Sequence, residues 1–441
     1  VPYKGVFDGA GKHITGLSLE ASGAWTNTGL FANVKTGTVK NLTVSGTVST
    51  AVYSKSQGRD TIYPYTGGIV GYLDSGTVTN CVSNVNVTGQ KSEYVGGVVG
   101  GTYYAKEISD CINNGTVTGN TAGGVVGHMK GTLKNCTNNG AVSSASKYAG
   151  GIAAVVKPTA DISGCTNNGT VTLEASSTSS MYVGGIIAYI EKPVSTFGLV
   201  NTITGCTNTG ALLVNNKAED SRNYPHIGGI IGYVELANYN QRLLVQNCKN
   251  SGTITLEKSG PYGANAGGII GEAGTQEYRI IDCLNTADIS GYCSVGGIAG
   301  DLRGQNNADT DKSKDGPYIS GCGNTGNITV KAIDGENSSL EHQAVGGLVG
   351  RAELGVQIVN SYNTGSITSA ARNVGGLLGR VGPGRDQTSA ILTGCYTTGI
   401  VTKQGTQEKV GALIGTIDDL SSTEPALITS SDLYYREQEL D

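Results

Sequence analysis

The sequence predicts an all-β chain, a parallel β-solenoid, and three observations carry that prediction. A Gly-Gly doublet followed by two apolar residues recurs ten times, beginning at Gly67, Gly96, Gly123, Gly150, Gly184, Gly228, Gly267, Gly296, Gly346 and Gly375. Small residues at fixed offsets, repeating every 27 to 50 residues, are the mark of stacked supersecondary units. Aromatic residues make up only 6% of the 441, with 69 Gly, so the interior must be thin and built of Val, Ile, Leu, Ala and Cys.

The elements follow in order. Residues 1–28 form an N-terminal start, residues 29–418 the repeat coils, and residues 419–441 a C-terminal edge, read together as one domain of about twelve coils. Degenerate copies of the doublet stand at Gly29-Leu30 and Gly411-Ala412. A short coil reads Gly123-Gly124-Val125-Val126-Gly127-His128-Met129-Lys130, then Gly131 to Gly140, then Ala141-Val142-Ser143-Ser144. Its three β-branched stretches are too short and too aperiodic for a helix. Three short strands per turn, stacked at about 4.8 Å, make a rod roughly 50–60 Å long. Parallel crossovers favour right-handed winding.

Nine of the ten cysteines (Cys81, Cys111, Cys136, Cys165, Cys206, Cys248, Cys283, Cys322, Cys395) hold one repeat phase, and Ser361 takes that phase in the remaining unit. A residue locked to the repeat is a packing ladder rather than a disulfide framework. Cys293 is out of phase. Two residues after the ladder position stands Asn (Asn113, Asn138, Asn167, Asn208, Asn250, Asn285, Asn324, Asn363), whose stacked amides are expected to bond along the stack. Two residues further on comes Gly in most coils (Gly115, Gly140, Gly169, Gly210, Gly252, Gly326, Gly365, Gly399), expected to supply a positive φ at a corner.

The formal charge of −5 is spread without blocks, which argues against a nucleic-acid footprint. No run of 18 apolar residues is present, so no membrane-inserted helix is expected. The abrupt opening at Val1-Pro2-Tyr3 reads as a fragment of something longer.

Gly67-Gly68-Ile69-Val70-Gly71 and Gly346-Gly347-Leu348-Val349-Gly350, each leading to Asn-Cys-x-Asn-x-Gly or a close variant, resemble the GLUG repeat of bacterial surface proteins. The opening Phe7-Asp8-Gly9-Ala10-Gly11-Lys12-His13-Ile14-Thr15-Gly16-Leu17, then Gly29-Leu30-Phe31, looks like the start of such a region. The resemblance implies a large secreted or wall-attached protein, as in the non-catalytic region of immunoglobulin-A-cleaving metallopeptidases. Their His-Glu-x-x-His is absent here, so no protease activity carries over.

Candidate chemistry lies on a stripe, the fifth residue after each leading Gly: Tyr72, Gly101, His128, Val155, Tyr189, Tyr233, Glu272, Asp301, Arg351, Arg380 and Thr416. Strand alternation points it outward, where Tyr189, Tyr233, Glu272, Asp301, Arg351 and Arg380 would suit an extended polysaccharide. The third residue after each Gly is also apolar throughout (Val70, Val126, Ile231 and their equivalents), which strict alternation does not explain. Either the chain bends there or something covers that stripe. Insertions lengthen the coils at Gly184, Gly228 and Gly296 to 44, 39 and 50 residues, and bring in Tyr224, Tyr239, Tyr262 and Tyr318. Asp311, Ser313 and Asp315, before Gly316, resemble the start of a calcium loop, but its twelfth position, where a bidentate Glu belongs, is Cys322, with Asp309 the residue that would compensate. No other cofactor is expected.

The sequence therefore points to a non-catalytic, extracellular adhesion module that binds a host or dietary glycan or a surface protein. The alternatives are a polysaccharide-active β-helix enzyme using Asp/Glu and Arg, and a passive spacer. The subunit number is left open.

Overall fold

The computed structural model describes residues 1–24, 27–53, 55–57, 60–62, 64–89, 94–175, 181–192, 200–216, 225–235, 242–257, 264–274, 277–303, 316–332, 343–353, 356–382, 388–404, 409–418 and 427–435. Among them every regular element is a strand. They belong to two compact units. The first is Val1–Ser177 with Met181–Glu191 and Cys206–Lys217; the second is Thr178–Ser180 with Lys192–Gly205 and Ala218–Asp441.

Each unit is a parallel β-solenoid. A coil of the first unit runs through Val126–Met129, Gly131–Lys134, Thr137–Asn138 and Val142–Gly150, adding a two-residue segment to the three longer strands expected. Like residues sit over like in the next coil: Thr137 over Thr166, Asn138 over Asn167, Val142 over Val171. The second unit repeats the plan, with Ile270–Ala273, Glu277–Ile281, Leu284–Asn285, Ile289–Gly291 and Ser294–Gly296 as one coil. The N-terminal strand Val6–Ala24 pairs in parallel with Thr38–Tyr53, and the rings of Tyr3 and Phe7 pack on Phe31 at 5.4 and 5.1 Å. Among the described residues a short antiparallel pair, Lys55–Gln57 with Asp60–Ile62, interrupts the plan once.

The asparagine column hydrogen-bonds as expected. In the first unit Asn113 Nδ2 donates to Asn138 Oδ1, Asn138 to Asn167 and Asn167 to Asn208, each at 2.8 Å. In the second unit Asn250, Asn285, Asn324 and Asn363 form an equal chain, which ends on Thr397 Oγ1. The other amide hydrogen goes to a backbone carbonyl two residues on, as from Asn138 to Gly140 at 2.8 Å. The doublet makes room for this column. A Cβ on Gly124 would lie 2.4 Å from Asn138 Cγ, and one on Gly123 would lie 2.0 Å from the carbonyl oxygen of Val126.

The apolar stripe that alternation left unexplained is a bend. The amides of Val125 and Val126 both donate to the single carbonyl of Ile152, and those of Ile269 and Ile270 to that of Ile298. Two successive residues therefore turn toward the same interior, and both are fully buried. The structure corrects the corner assignment. None of the glycines after the ladder Asn has a positive φ; a Cβ on Gly140 would instead lie 1.9 Å from the Gly115 carbonyl oxygen of the preceding coil. The left-handed residue is the one before the ladder cysteine: Asn80, Asp110, Asn135 and Gly164 in the first unit, Gly205, Asn247, Asp282, Gly321, Asn360 and Gly394 in the second. Gly, Asn and Asp are the residues that tolerate that conformation.

No disulfide joins any of the ten cysteines, which are all buried. Ladder thiols donate to backbone, as from Cys136 to the Lys134 carbonyl at 3.2 Å, and Ser361 Oγ makes the same bond to Val359 at 2.8 Å.

Replacing Asn138 by Ala strands buried donors and acceptors on three neighbours, and should cost about 3 kcal/mol or more in chemical denaturation. Ser83 sits in the Asn phase beneath Asn113, and its hydroxyl and Asn113 Oδ1 are both buried without a hydrogen-bond partner. Ser83→Asn extends the column by one rung and should stabilise the first unit by about 1 kcal/mol.

Candidate functional site

The stripe read from the sequence is a true column in each unit. Val155 pairs with Tyr189 in the first; in the second, Tyr233 pairs with Glu272, Glu272 with Asp301, Asp301 with Arg351, and Arg351 with Arg380. Its two acidic members do not stand on the outer surface, however, while Tyr189, Tyr233, Arg351 and Arg380 are half-buried. Glu272 and Asp301 are only 2% and 1% exposed. The bend at the doublet folds each coil back on itself, so the residue two before the first Gly faces the one five after it. His226 comes to lie against Tyr233, their rings 4.9 Å apart, and Asn265 Nδ2 donates to Glu272. That facing column (His226, Asn265, Ser294, Ala344, Asn373) was missed in the sequence, although its offset of seven residues is constant.

The ionic groups of the second unit meet in this fold. His226 Nδ1 lies 2.9 Å from Glu272 Oε2, and Arg303 Nε lies 3.1 Å from Glu272 Oε1 and 3.0 Å from Asp301 Oδ2. Arg351 reaches Asp301 at 3.4 Å and Glu353 at 2.6 Å. Asp301 Oδ1 is buried without a hydrogen-bond partner. Burial pushes the Asp301 carboxyl up to about 6, and the Glu272 charge adds to this against Arg303 and Arg351. Burial also pushes on Glu272, but His226, Arg303 and Asn265 outweigh it and hold that carboxyl below its ordinary value. Arg303 loses some proton affinity to burial and regains more from Glu272, Asp301 and Glu353, so it stays charged.

The remaining candidates have other partners. Arg380 pairs with Asp418 at 2.7 Å, and Tyr318 lies 5.4 Å beneath the Arg279 guanidinium. Tyr189 stacks with Tyr148 and Tyr182 at 5.0 and 5.2 Å in the first unit. In the same fold-back of that unit His128 is buried beside Tyr94, and desolvation, with Lys157, lowers its imidazole to about 3. Tyr224, Tyr239 and Tyr262, and the calcium candidates Asp309, Asp311, Ser313 and Asp315, lie outside the described residues. Among the described residues no group of three or more His, Cys, Asp or Glu is arranged to hold a metal ion, and no helix is long and apolar enough to cross a membrane.

The family model for the GLUG motif matches residues 63–88 and 341–368. Both segments contain a doublet, its bend and the ladder positions that follow. Halomucin of Haloquadratum walsbyi is 34% identical over 180 residues, which are 40% of this chain and 2% of Halomucin. The chain thus matches a very small part of that relative's length. No solved structure matches.

The two buried carboxylates should respond oppositely to neutralisation. A carboxyl whose folded value is raised adds stability below its unfolded value, and that stability is lost as pH rises through the folded value. For Asp301 the window runs from about pH 4 to about pH 6, and the amount is about 3 kcal/mol. Asp301→Asn should leave stability at pH 7.5 equal or higher, and should remove this component of the pH dependence. The ionised form of Glu272 is favoured by folding, so Glu272→Gln should destabilise at pH 7.5. Denaturation curves for both variants across pH 4–8 check the contrast.

Proposed function

We propose that this chain is a non-catalytic repeat module of a surface or secreted protein that acts in adhesion, binding glycan or protein with the surface its coils leave free. One observation carries this reading. Glu272 and Asp301, the carboxylates best placed for glycan chemistry, are buried and engaged by Arg303, Arg351, His226 and Asn265. A carboxylate pair that cleaves a glycosidic bond must reach the bond from both sides. Groups committed to holding coils together do not. The likeness to part of Halomucin and the matches to the GLUG motif support a repeat module of a larger extracellular protein.

A second reading rests on a specific feature: Glu272 and Asp301 are displaced in opposite directions, the pattern by which acid and base roles are divided between two carboxyls. On that reading the chain is a polysaccharide-active enzyme.

Glycan-array binding measured beside reducing-sugar release separates the two. Binding without turnover is the expected result. Turnover that Glu272→Gln abolishes would establish the enzyme instead. Neither binding nor turnover would leave a passive spacer.

A further inference from the structure

The surface of the first unit carries an aromatic patch with uncompensated positive charge. Tyr103 and Tyr104 follow the strand Val99–Thr102 and are 47% and 50% exposed, whereas Tyr65, Tyr72, Tyr94, Tyr148, Tyr182 and Tyr189 of the same unit are half-buried. Their rings meet edge to face at 4.5 Å. Lys130, from the next coil, sets its ammonium 4.4 Å from the Tyr104 ring centre and 5.8 Å from that of Tyr103. The Lys130 backbone is itself held, its amide donating to Thr102 Oγ1 at 3.2 Å and its carbonyl accepting from that hydroxyl at 2.9 Å. The two exposed rings thus pack on each other and against the Lys130 ammonium.

The patch also carries positive charge. Some lysines of this unit pair with carboxylates, Lys35 with Asp74 at 3.2 Å and Lys157 with Glu191 at 2.8 Å. Among the described residues neither Lys130 nor the exposed Lys106, two positions beyond Tyr104, has a carboxylate within ion-pair distance. This occurs in a chain whose formal charge is −5. At the border of the patch, burial, with Asp74 and Tyr103, pushes the Tyr72 phenol up to about 12, so its hydroxyl keeps its proton at neutral pH.

We propose that Tyr103, Tyr104, Lys106 and Lys130 form a binding patch for an acidic polysaccharide, a chain of pyranose rings bearing carboxylate or sulfate groups. The exposed tyrosines offer apolar ring surface to the sugar C–H faces, and the two ammonium groups meet the anionic substituents. A neutral glycan would leave both lysines unused. A purely apolar partner would leave them unpaired in a dry interface. The assignment rests on the adhesion reading and names its ligand class and its surface.

The test uses the full chain in affinity electrophoresis and calorimetry with polygalacturonate oligomers, dextran sulfate and uncharged dextran. Binding to an anionic polymer that weakens with added salt is expected, with uncharged dextran inert. Polygalacturonate and dextran sulfate in parallel distinguish a carboxylate ligand from a sulfate ligand. Tyr104→Ala and Lys130→Ala should each lower affinity roughly tenfold without moving the thermal transition, and Lys130→Arg should retain binding. Binding unchanged in both alanine variants overturns the patch while leaving the adhesion reading intact. Equal binding to uncharged dextran overturns the acidic ligand class. Failure to bind any glycan, with capture of an acidic protein instead, overturns the proposal and narrows adhesion to protein partners.

Discussion

The stack depends on one buried hydrogen bond repeated from coil to coil, the donation from an asparagine amide to the asparagine above it. Both amide hydrogens are used, one along the axis and one on the coil's own backbone. A buried amide left short of partners is costly, so each rung holds its neighbour in register. The doublet glycines are the steric consequence: the second lies against the amide carbon and the first against a folded-back carbonyl, and neither position has room for a side chain. Cysteine fits the adjoining column because it is small and apolar and its thiol can donate weakly to backbone. Ser361 shows that the column accepts another small donor.

The same fold-back that buries the asparagine column makes a second interior slot, lined by the residues two before and five after the first doublet glycine. In the first unit the slot takes rings, among them Tyr65 with Tyr72 and Tyr182 with Tyr189. In the second it takes His226, Asn265, Glu272, Asp301 and Arg351. Parallel in-register stacking requires only that each residue find a satisfactory neighbour one coil away. A run of rings does so by stacking, and acids beside bases do so by ion pairing along the column and with Arg303 and His226. Buried ionic groups of this kind cost desolvation, and their clearest benefit is to penalise any slip in register.

Such a scaffold commits most of its chemically versatile side chains to the stack itself. What remains for an outside partner is the outward face and the corners, where exposed tyrosines and unpaired lysines occur together. A repeat architecture can vary those positions coil by coil without touching the columns that hold it together.

The repeat phase, the strand identity and the ladder were legible in the sequence because they depend on local rules: Gly where a Cβ cannot fit, Asn where amides stack, β-branched residues between. The left-handed corner was legible too, since Asn, Asp or Gly precedes each ladder cysteine, but the more regular glycine four residues beyond the ladder cysteine drew that assignment to itself. The facing of the stripe was not legible. Alternation says only which side of one strand a residue occupies, and it cannot say that a bend at the doublet lays a second strand over that side. So the sequence by itself determined which residues recur and what they stack upon, since those contacts are set by identical neighbours. Only the tertiary structure decided that Glu272 and Asp301 are inside, because burial depends on a strand seven residues away folding back across them.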